Sequence, residues 1–350
     1  MDRAPSLGVD GLAGLFGVDD LADRLAAVEE KITATLSHDG ALLGPASLRM
    51  AGAGGKRLRP LFTIVTAALA DDFDERVVAA AAAVELVQVG SLVHDDILDA
   101  AATRRGRPTI NAVEGIDHAL LAGDYILARA AELAASVSRE AATLVASALG
   151  ELCEGQVLEL RDAFDPNRTV DAHLASIRGK TAALFECACR LGAHCAGLPD
   201  HQAEALGSFG AAFGMSFQVL DDVLDLIGDA ERLGKPTGTD IASGVYTLPV
   251  LVALRGSGGG ELRRHLPGPD GDRRPDGVGE ALELVRHSGS ISAALAAMDR
   301  YADQASRAVS HLNQTTVGGG LARFPRAYGT WALETLMDRR YLETPLTAAG

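Results

Sequence analysis

The stretch that decides the fold is VELVQVGSLVHDDILD, residues 84–99, in which a mostly apolar segment is followed by three aspartates. Apolar residues recur at spacings of three and four, as on one face of an α-helix, and this period runs through most of the chain. No run of alternating β-branched residues is bounded by hairpin turns. The sequence therefore predicts an all-α protein, with helices at residues 21–36, 61–70, 76–98, 117–135, 140–161, 171–196, 201–228, 279–285, 291–312 and 326–342.

The composition limits the class of protein. The chain has 350 residues, 47% of them hydrophobic and 23% charged, and its 32 basic and 47 acidic residues give a net charge of −15. This is the composition of a globular protein, and so acidic a chain is not expected to bind nucleic acid or an anionic membrane surface. An anionic small substrate is compatible with it wherever basic residues cluster locally.

The organisation along the chain indicates one domain, residues 1–350, with a flexible surface loop at residues 256–279 that is rich in Gly, Pro and Arg. The most apolar stretch, residues 77–93, is too short to span a membrane and is interrupted by Glu85 and Gln88. No N-terminal signal segment is visible. We therefore expect a cytoplasmic protein without a transmembrane segment. Its four cysteines lack a paired C-x-x-C spacing, which favours buried thiols over a zinc site: Cys153, Cys187, Cys189 and Cys195.

Two aspartate-rich segments carry the candidate chemistry: HDDILD, with Asp95, Asp96 and Asp99, and LDDVLD, with Asp221, Asp222 and Asp225. On a helix, the first and last aspartate of each segment lie on one face, about 6 Å apart along the axis. Like charges at this spacing on apolar helices are unfavourable unless a cation neutralises them. Mg²⁺ suits clustered carboxylates and commonly bridges them to substrate phosphates. Two merely acidic helix surfaces are the alternative, but two copies in apolar helices favour a metal site.

Basic residues occur beside these segments. GGKRLRP, residues 54–60, places Lys56 and Arg59 at a helix start, where free backbone N–H groups favour an anion. Three further motifs contribute polar groups: TRRG with Arg104 and Arg105, RGKT with Lys180 and Thr181, and LGKPTGTD with Lys235 and Asp240. A protein of net charge −15 thus carries cations beside its carboxylates, as a metal-bridged diphosphate site requires.

In their order, GGKRLRP, HDDILD with TRRG, GKT, and FQVLDD with GKPTGTD resemble the motifs of trans-polyprenyl diphosphate synthases, over about residues 50–250. The resemblance implies a single-domain, isoprenoid-synthase type bundle of helices around a central cavity, usually as a homodimer. It also implies a reaction that joins isopentenyl diphosphate to an allylic prenyl diphosphate with release of diphosphate. The implied cofactor is Mg²⁺, with up to three ions.

Residue by residue, the resemblance implies three groups of site residues. The metal ligands would be Asp95, Asp96 and Asp99 on one helix and Asp221, Asp222 and Asp225 on the opposite helix. The allylic side would be contacted by Arg104, Lys180, Thr181, Gln218 and Lys235, and the isopentenyl diphosphate pocket by Gly55, Lys56, Arg59, Gln88 and Arg105. The catalytic set would be Asp95, Asp96, Asp99, Arg104, Lys180, Asp221, Asp222 and Lys235. Gln88 replaces a histidine of many bacterial members, and Val245, in GVYTLP, replaces a frequent lysine, so one phosphate-side cation is missing.

The product length is predicted from the helix that leads into HDDILD. Val87, Gly90 and Ser91 lie a turn or more before Asp95 and are expected to line the cavity for the prenyl tail. Short-chain members tend to have a bulky aromatic residue there, and this chain has none. We expect a medium- or long-chain polyprenyl diphosphate, with C20 geranylgeranyl diphosphate as the alternative. A glycine that only permits close helix packing is the competing interpretation of Gly90.

Two other functions use related motifs. A class I terpene cyclase also ionises a prenyl diphosphate, but usually lacks GGKRLRP and the arginine pair that hold a second diphosphate. A regulatory subunit of a heteromeric prenyl synthase usually lacks one aspartate cluster, whereas both are present here. The predicted function is therefore a prenyltransferase whose substrates are isopentenyl diphosphate and an allylic prenyl diphosphate.

Overall fold

The computed structural model describes residues 7–37, 42–70, 73–234, 236–268, 277–338 and Tyr341. Within this part the chain is mostly helical, with one two-stranded hairpin, which confirms the all-α prediction. The helices are α1 (Val9–Phe16), α2 (Leu21–Leu36), α3 (Gly44–Ala51), α4 (Leu58–Ala67), α5 (Glu75–Leu98), α6 (Ile110–Glu114), α7 (Ile116–Val137), α8 (Arg139–Arg161), α9 (Val170–Ile177), α10 (Ala183–Cys195), α11 (Asp200–Ile227), α12 (Ala230–Leu233), α13 (Thr239–Ala242), α14 (Leu248–Arg255), α15 (Gly259–His265), α16 (Gly277–His287), α17 (Ser290–Ala308) and α18 (Thr316–Leu336). A π-helical turn, Arg178–Ala182, joins α9 to α10, and 3-10 turns occupy Ala68–Ala70 and Ser310–Leu312.

Some boundaries differ from the prediction. The last long helix begins at Thr316, ten positions before the predicted start. Thr315 caps the helix there, since its side chain accepts a hydrogen bond from Gly318 N. The prediction was late because three glycines in the first turns of the helix obscure the apolar period. The predicted loop at residues 256–279 is wrong for α15 and for the start of α16. The seven residues of α15 bury one large side chain, Leu262, which is too little to set a recognisable period.

A short hairpin interrupts the helices between α5 and α6. Its strands, β1 (Thr103–Arg104) and β2 (Arg107–Pro108), pair antiparallel, with Thr103 opposite Pro108. The two turn residues, Arg105 and Gly106, both have positive φ angles, +51° and +73°, which is the geometry of tight two-residue hairpins. The hairpin is too short for strand periodicity and was not predicted, but it fixes both arginines of TRRG.

The core centres on α10, which packs against α4, α5 and α11. Four phenylalanines from different helices meet there: Phe62 of α4, Phe185 of α10, Phe213 of α11 and Phe324 of α18. The Phe213 ring centroid lies 4.9, 5.2 and 5.4 Å from those of Phe62, Phe185 and Phe324. Such aromatic contacts add to the burial of apolar area. The few aromatic residues of the chain are thus concentrated where the site-bearing helices meet.

Among the described helices, α5 alone is long and apolar enough to cross a membrane by length and composition. However, 78% of its most apolar window is buried inside the protein, and its buried face includes Glu85 and Asp96. A run of alanines, residues 79–83, lets neighbouring helices approach α5 closely. We therefore interpret α5 as a core helix, although the prediction that this stretch is too short to span a membrane is wrong, because the helix extends over Glu75–Leu98.

The cysteines follow the prediction in three of four cases. Cys187, Cys189 and Cys195 are buried and unpaired, whereas Cys153 is exposed on α8, so the prediction of buried thiols is wrong for Cys153. Burial raises the pKa of Cys187 to about 12, which makes its thiol unreactive.

Candidate active site

Two adjoining cavities of opposite charge lie at the aspartate-bearing ends of α5 and α11. The acidic cavity, about 270 Å³, is lined by six carboxylates, Asp95, Asp99, Glu159, Asp221, Asp222 and Asp240, and by two cations, Arg104 and Lys180. The basic cavity, about 380 Å³, is lined by six cations, Lys56, Arg57, Arg59, Arg104, Arg105 and Arg232, and by two carboxylates, Glu85 and Asp221. Arg104 and Asp221 line both cavities, so two ligands bound there would meet at these residues.

Four of the six predicted aspartate ligands line the acidic cavity, from two different helices. Burial raises the pKa of Asp95, opposed by Lys180 and reinforced by Asp99. Burial likewise raises the pKa of Asp99, again opposed by Lys180. Raised carboxylate pKa values mean that the protein leaves part of this negative charge uncompensated, which a bound cation would relieve.

The other two aspartates of the motifs, Asp96 and Asp225, do not line this cavity. Asp96 lies on another face of α5, where it is 1% exposed and accepts a 2.6 Å hydrogen bond from Arg104 Nε. Asp225 accepts hydrogen bonds from Thr239 Oγ1 and from the backbone N–H of Asp240. Although Asp225 is four positions after Asp221, the chain folds back after α11 and engages its carboxylate. In this structure both carboxylates contact protein groups, and the prediction that they bind a metal stays a prediction.

The π-helical turn brings Lys180 and Thr181 to the acidic cavity. Lys180 Nζ donates to Glu159 Oε1 at 2.6 Å. Burial lowers the pKa of Lys180, but Glu159 and Asp95 more than offset it, so the pKa is raised and the ammonium is retained. Gly155 of α8 permits this arrangement, because a Cβ atom there would stand 2.3 Å from the backbone N of Lys180.

A chain of hydrogen bonds crosses the acidic cavity behind Asp222. Thr181 Oγ1 donates to Gln218 Oε1 at 2.8 Å, and Gln218 Nε2 donates to Asp222 Oδ1 at 3.0 Å. The second oxygen of Asp222 lies 3.1 Å from His173 Nε2. Both oxygens of Asp222 are thereby fixed, so its orientation is set before any ligand binds.

The basic cavity contains all five residues predicted for the isopentenyl diphosphate pocket: Gly55, Lys56, Arg59, Gln88 and Arg105. Gly55 has a φ of +148°, and a Cβ there would stand 2.7 Å from Arg105 Nη1, so glycine lets the guanidinium lie against the loop. Arg59 stacks 4.5 Å from the centroid of the Phe185 ring, and burial lowers its pKa to about 10. Lys56 Nζ donates to Tyr328 Oη at 2.7 Å; burial lowers its pKa, and Asp221 opposes this.

Two other predicted positions have different outcomes. Val245 lines the acidic cavity, so the residue that replaces a lysine does face the site. Lys235 lies outside the described residues.

Several residues that line the cavities were not predicted from the sequence. Glu159 and His173 come from α8 and α9, whose sequences contain no motif that marks them. Glu85 and Arg57 had a signal that was not used: a carboxylate inside the most apolar stretch, and an arginine within GGKRLRP itself.

The three positions predicted to control product length line neither cavity. Gly90 faces α7: a Cβ there would stand 2.9 Å from Leu127 Cγ and 3.3 Å from the Gly123 carbonyl oxygen. Val87 and Ser91 are buried within the helix packing, and Ser91 Oγ donates to the Gln88 carbonyl. This geometry favours the interpretation that Gly90 allows α5 and α7 to pack closely.

Comparisons with known proteins agree with this architecture. The family model described as "Polyprenyl synthetase" matches residues 41–275. The chain is 37% identical to a nonaprenyl diphosphate synthase of Mycobacterium tuberculosis over 317 residues, 90% of either chain. It is 38% identical to heptaprenyl diphosphate synthase component 2 of Geobacillus stearothermophilus over 288 residues, 81% of this chain and 88% of the relative. A polyprenyl synthase of Caulobacter crescentus, complexed with calcium and isoprenyl diphosphate, superposes with a TM-score of 0.83 at 33% identity, covering 93% of this chain and 99% of that one.

Proposed function

The chain belongs to the polyprenyl synthetase family and is a prenyltransferase that elongates isoprenyl diphosphates, and on this premise we propose a separate role for each cavity. The acidic cavity binds the allylic prenyl diphosphate through Mg²⁺, and the basic cavity binds isopentenyl diphosphate without a metal. The observation that carries the proposal is the opposite charge of two cavities that share Arg104 and Asp221.

The charge of the acidic cavity explains the need for a metal there. With six carboxylates and only two cations, the cavity is negatively charged and would repel a bare diphosphate; bound divalent ions would make its net charge positive. The candidate ligands are Asp95, Asp99, Asp221 and Asp222, whose carboxylate oxygens are the donors that Mg²⁺ prefers. In the described part of the chain, no group of three or more His, Cys, Asp or Glu side chains is arranged to hold a metal ion by itself. We propose up to three ions, which when bound would neutralise charge on the leaving diphosphate.

The basic cavity needs no metal for the same reason. Its six cations against two carboxylates already attract a diphosphate. Arg59 and Arg105 supply guanidinium groups and Lys56 supplies an ammonium, so the three groups differ in geometry but are all positively charged.

The residues between the cavities support ionisation followed by transfer. When the allylic C–O bond breaks, negative charge develops on the diphosphate, to which Arg104, Lys180 and Gln218, all lining the acidic cavity, would donate hydrogen bonds. The carbocation must be kept from water, and the ring of Phe217 provides an apolar wall beside Asp221. The double bond of isopentenyl diphosphate then attacks, and the released diphosphate takes the proton that is lost. No side-chain nucleophile is required.

We propose a medium- or long-chain polyprenyl diphosphate as the product, supported by relatives named for heptaprenyl and nonaprenyl products. The test uses purified protein, Mg²⁺, labelled isopentenyl diphosphate and dimethylallyl, geranyl or farnesyl diphosphate, with product length read by reverse-phase chromatography. Linear products longer than C20 support the proposal, whereas products that stop at C20 indicate the geranylgeranyl alternative. Cyclic hydrocarbons would indicate a cyclase, and turnover only with an added subunit would indicate a regulatory component.

We propose a homodimer that forms through α7 and α8. Among the described residues, six of the nine exposed large apolar side chains lie on α6, α7 and α8: Val113, Ile116, Leu120, Leu121, Val157 and Leu160. Such a concentration is typical of an interaction surface. One relative is named as a component of a heptaprenyl diphosphate synthase, so a different subunit is the competing partner for this face. Light scattering should give a dimer mass that Leu160→Arg reduces to the monomer; a monomeric wild-type protein would contradict the proposal.

We propose a cytoplasmic location, supported by the burial of α5 in the core. Cell fractionation should recover the protein in the supernatant. Recovery in a salt-washed membrane pellet would contradict this.

A further inference from the structure

The basic cavity contains a buried carboxylate whose position is unexpected beside a phosphate. Glu85 of α5 is only 6% exposed and lines the cavity together with Arg57, Arg59 and Arg105. A negative charge there weakens the attraction for an anion. Burying a charge is also unfavourable unless it is well paired. The partners of Glu85 therefore indicate what it does.

Glu85 is paired with Arg57, which is engaged on all sides. Arg57 Nη1 donates to Glu85 Oε1 at 2.7 Å, and Nε and Nη2 donate to the two oxygens of Glu29 on α2. Nη2 also donates to the carbonyl of Ala51, at the end of α3, at 2.7 Å. We call this set the Glu29–Arg57–Glu85 clamp. It joins α2, α3 and α5 to the loop of residues 52–57.

The backbone of Arg57 indicates that the clamp holds this loop in a defined shape. Arg57 has a φ of +49° immediately before α4, a conformation that non-glycine residues seldom adopt. Such a conformation persists where surrounding contacts over-determine it. Its sequence neighbours are Lys56 and, two positions on, Arg59, both lining the basic cavity. Fixing Arg57 therefore fixes the residues that present these two cations.

Glu85 also influences the other arginines of the cavity. Burial lowers the pKa of Arg59 and of Arg105, and Glu85 is the carboxylate that opposes this in both cases. Without it, several guanidinium groups would repel one another in a confined space. The carboxylate thus supplies the countercharge at the centre of the group.

We propose that Glu85, acting through Arg57, is a positioning residue that holds Lys56, Arg59 and Arg105 in one array for the diphosphate of the isopentenyl substrate. The proposal rests on the assignment of the basic cavity given above. Its role differs from that of the phosphate ligands, since Glu85 interacts with the cations of the cavity and not with the anion.

A purely electrostatic role of Glu85 and a positioning role predict opposite effects on the binding of isopentenyl diphosphate, so a substitution at Glu85 tests between them. Glu85→Gln removes a negative charge, so a purely electrostatic role predicts tighter binding of isopentenyl diphosphate. Positioning predicts weaker binding, with a KM for isopentenyl diphosphate that rises about tenfold, because the amide oxygen of glutamine accepts only a weaker, uncharged hydrogen bond from Arg57. The KM for the allylic diphosphate should stay unchanged. Calorimetry with isopentenyl diphosphate alone, without Mg²⁺, measures the same loss directly.

Two further variants and a control complete the design. Arg57→Lys keeps the charge but cannot bind Glu29 and Glu85 together, so the same rise in KM is expected. Where Glu85→Gln does not fold, Glu29→Gln replaces it, because Glu29 is half-exposed at the outer end of the clamp. Asp303→Asn breaks another carboxylate–arginine pair, with Arg326, outside both cavities and should leave both KM values unaltered.

The outcomes separate the two proposals. Binding of isopentenyl diphosphate that is lost in Lys56→Ala and weakened in Glu85→Gln supports both. If Lys56→Ala abolishes binding of isopentenyl diphosphate while a folded Glu85→Gln binds it equally well or more tightly, only the positioning role of Glu85 is overturned. Binding that is insensitive to Lys56→Ala overturns the assignment of the basic cavity.

Discussion

Replacing Arg104 by glutamine should destabilise the protein, because it leaves the buried carboxylate of Asp96 without its ion-pair partner. In the structure Asp96 is 1% exposed, its Oδ1 accepts from Arg104 Nε at 2.6 Å, and its Oδ2 has no hydrogen-bond partner among the described residues. Removing one partner of a buried ion pair costs about 3–5 kcal/mol. Because the Arg104 side chain is 26% exposed, solvent screens part of this interaction, and we expect a loss of about 2 kcal/mol in the free energy of unfolding.

The double variant Arg104→Gln/Asp96→Asn separates stability from activity. It removes both charges, so most of the lost stability should return. Activity should stay low, because the guanidinium that lines both cavities is still absent. Urea denaturation followed by circular dichroism measures the first effect, and kcat/KM with Mg²⁺ measures the second. Equal stability of the single and double variants would refute the reasoning.

The effect of Arg104→Gln should also depend on pH. Burial raises the pKa of Asp96, and Arg104 opposes this shift. Without Arg104 the pKa in the folded state rises further above its value in the unfolded chain. The penalty is therefore largest at neutral pH and disappears as pH falls below the folded-state pKa of Asp96 in the wild type, where the carboxyl is neutral in both folded proteins. A stability difference that does not vary with pH would point to a cause other than the charge of Asp96.

Three further predictions follow from the geometry. Gly90→Phe should lower the free energy of unfolding by about 3 kcal/mol, because α7 blocks the space, and should leave product length unchanged; a stable variant with shorter products would restore the tail-cavity interpretation. Val245→Lys adds a cation to the acidic cavity, so the KM for the allylic diphosphate should fall about threefold; a rise would contradict the charge argument. Cys153 lies on the same face of α8 as Leu160, so iodoacetamide should label Cys153 about tenfold faster in Leu160→Arg than in the wild type, and should label Cys187 in neither protein. Equal labelling rates of Cys153, measured by mass spectrometry, would place the dimer interface elsewhere.

The sequence predicted the parts of the site that depend on local geometry. The spacing of Asp95 and Asp99 determines that both lie on one helix face, and this holds in the structure. Gly55, Lys56 and Arg59 lie together because they belong to one loop and the helix start that follows it. The clustering of cations and carboxylates along an acidic chain was enough to indicate a diphosphate site.

Other features depend on how distant segments pack. Asp225 has the spacing of a ligand, but the chain returning after α11 supplies Thr239 to engage it. Gly90 precedes Asp95 as a tail-cavity residue would, but Leu127 of α7 occupies the space it faces. Neither outcome can be read from a pattern within one helix.

The sequence by itself determined the helical class, the acidic and basic motifs and the helix face on which each charge lies, because these follow from the 3.6-residue period and from neighbours along the chain. Only the tertiary structure decided which charges share a cavity. It brought Glu159 to Lys180 and Glu85 to Arg57, pairs that lie 21 and 28 positions apart and on different elements. Their energies depend on burial and distance, which exist only once the helices have packed.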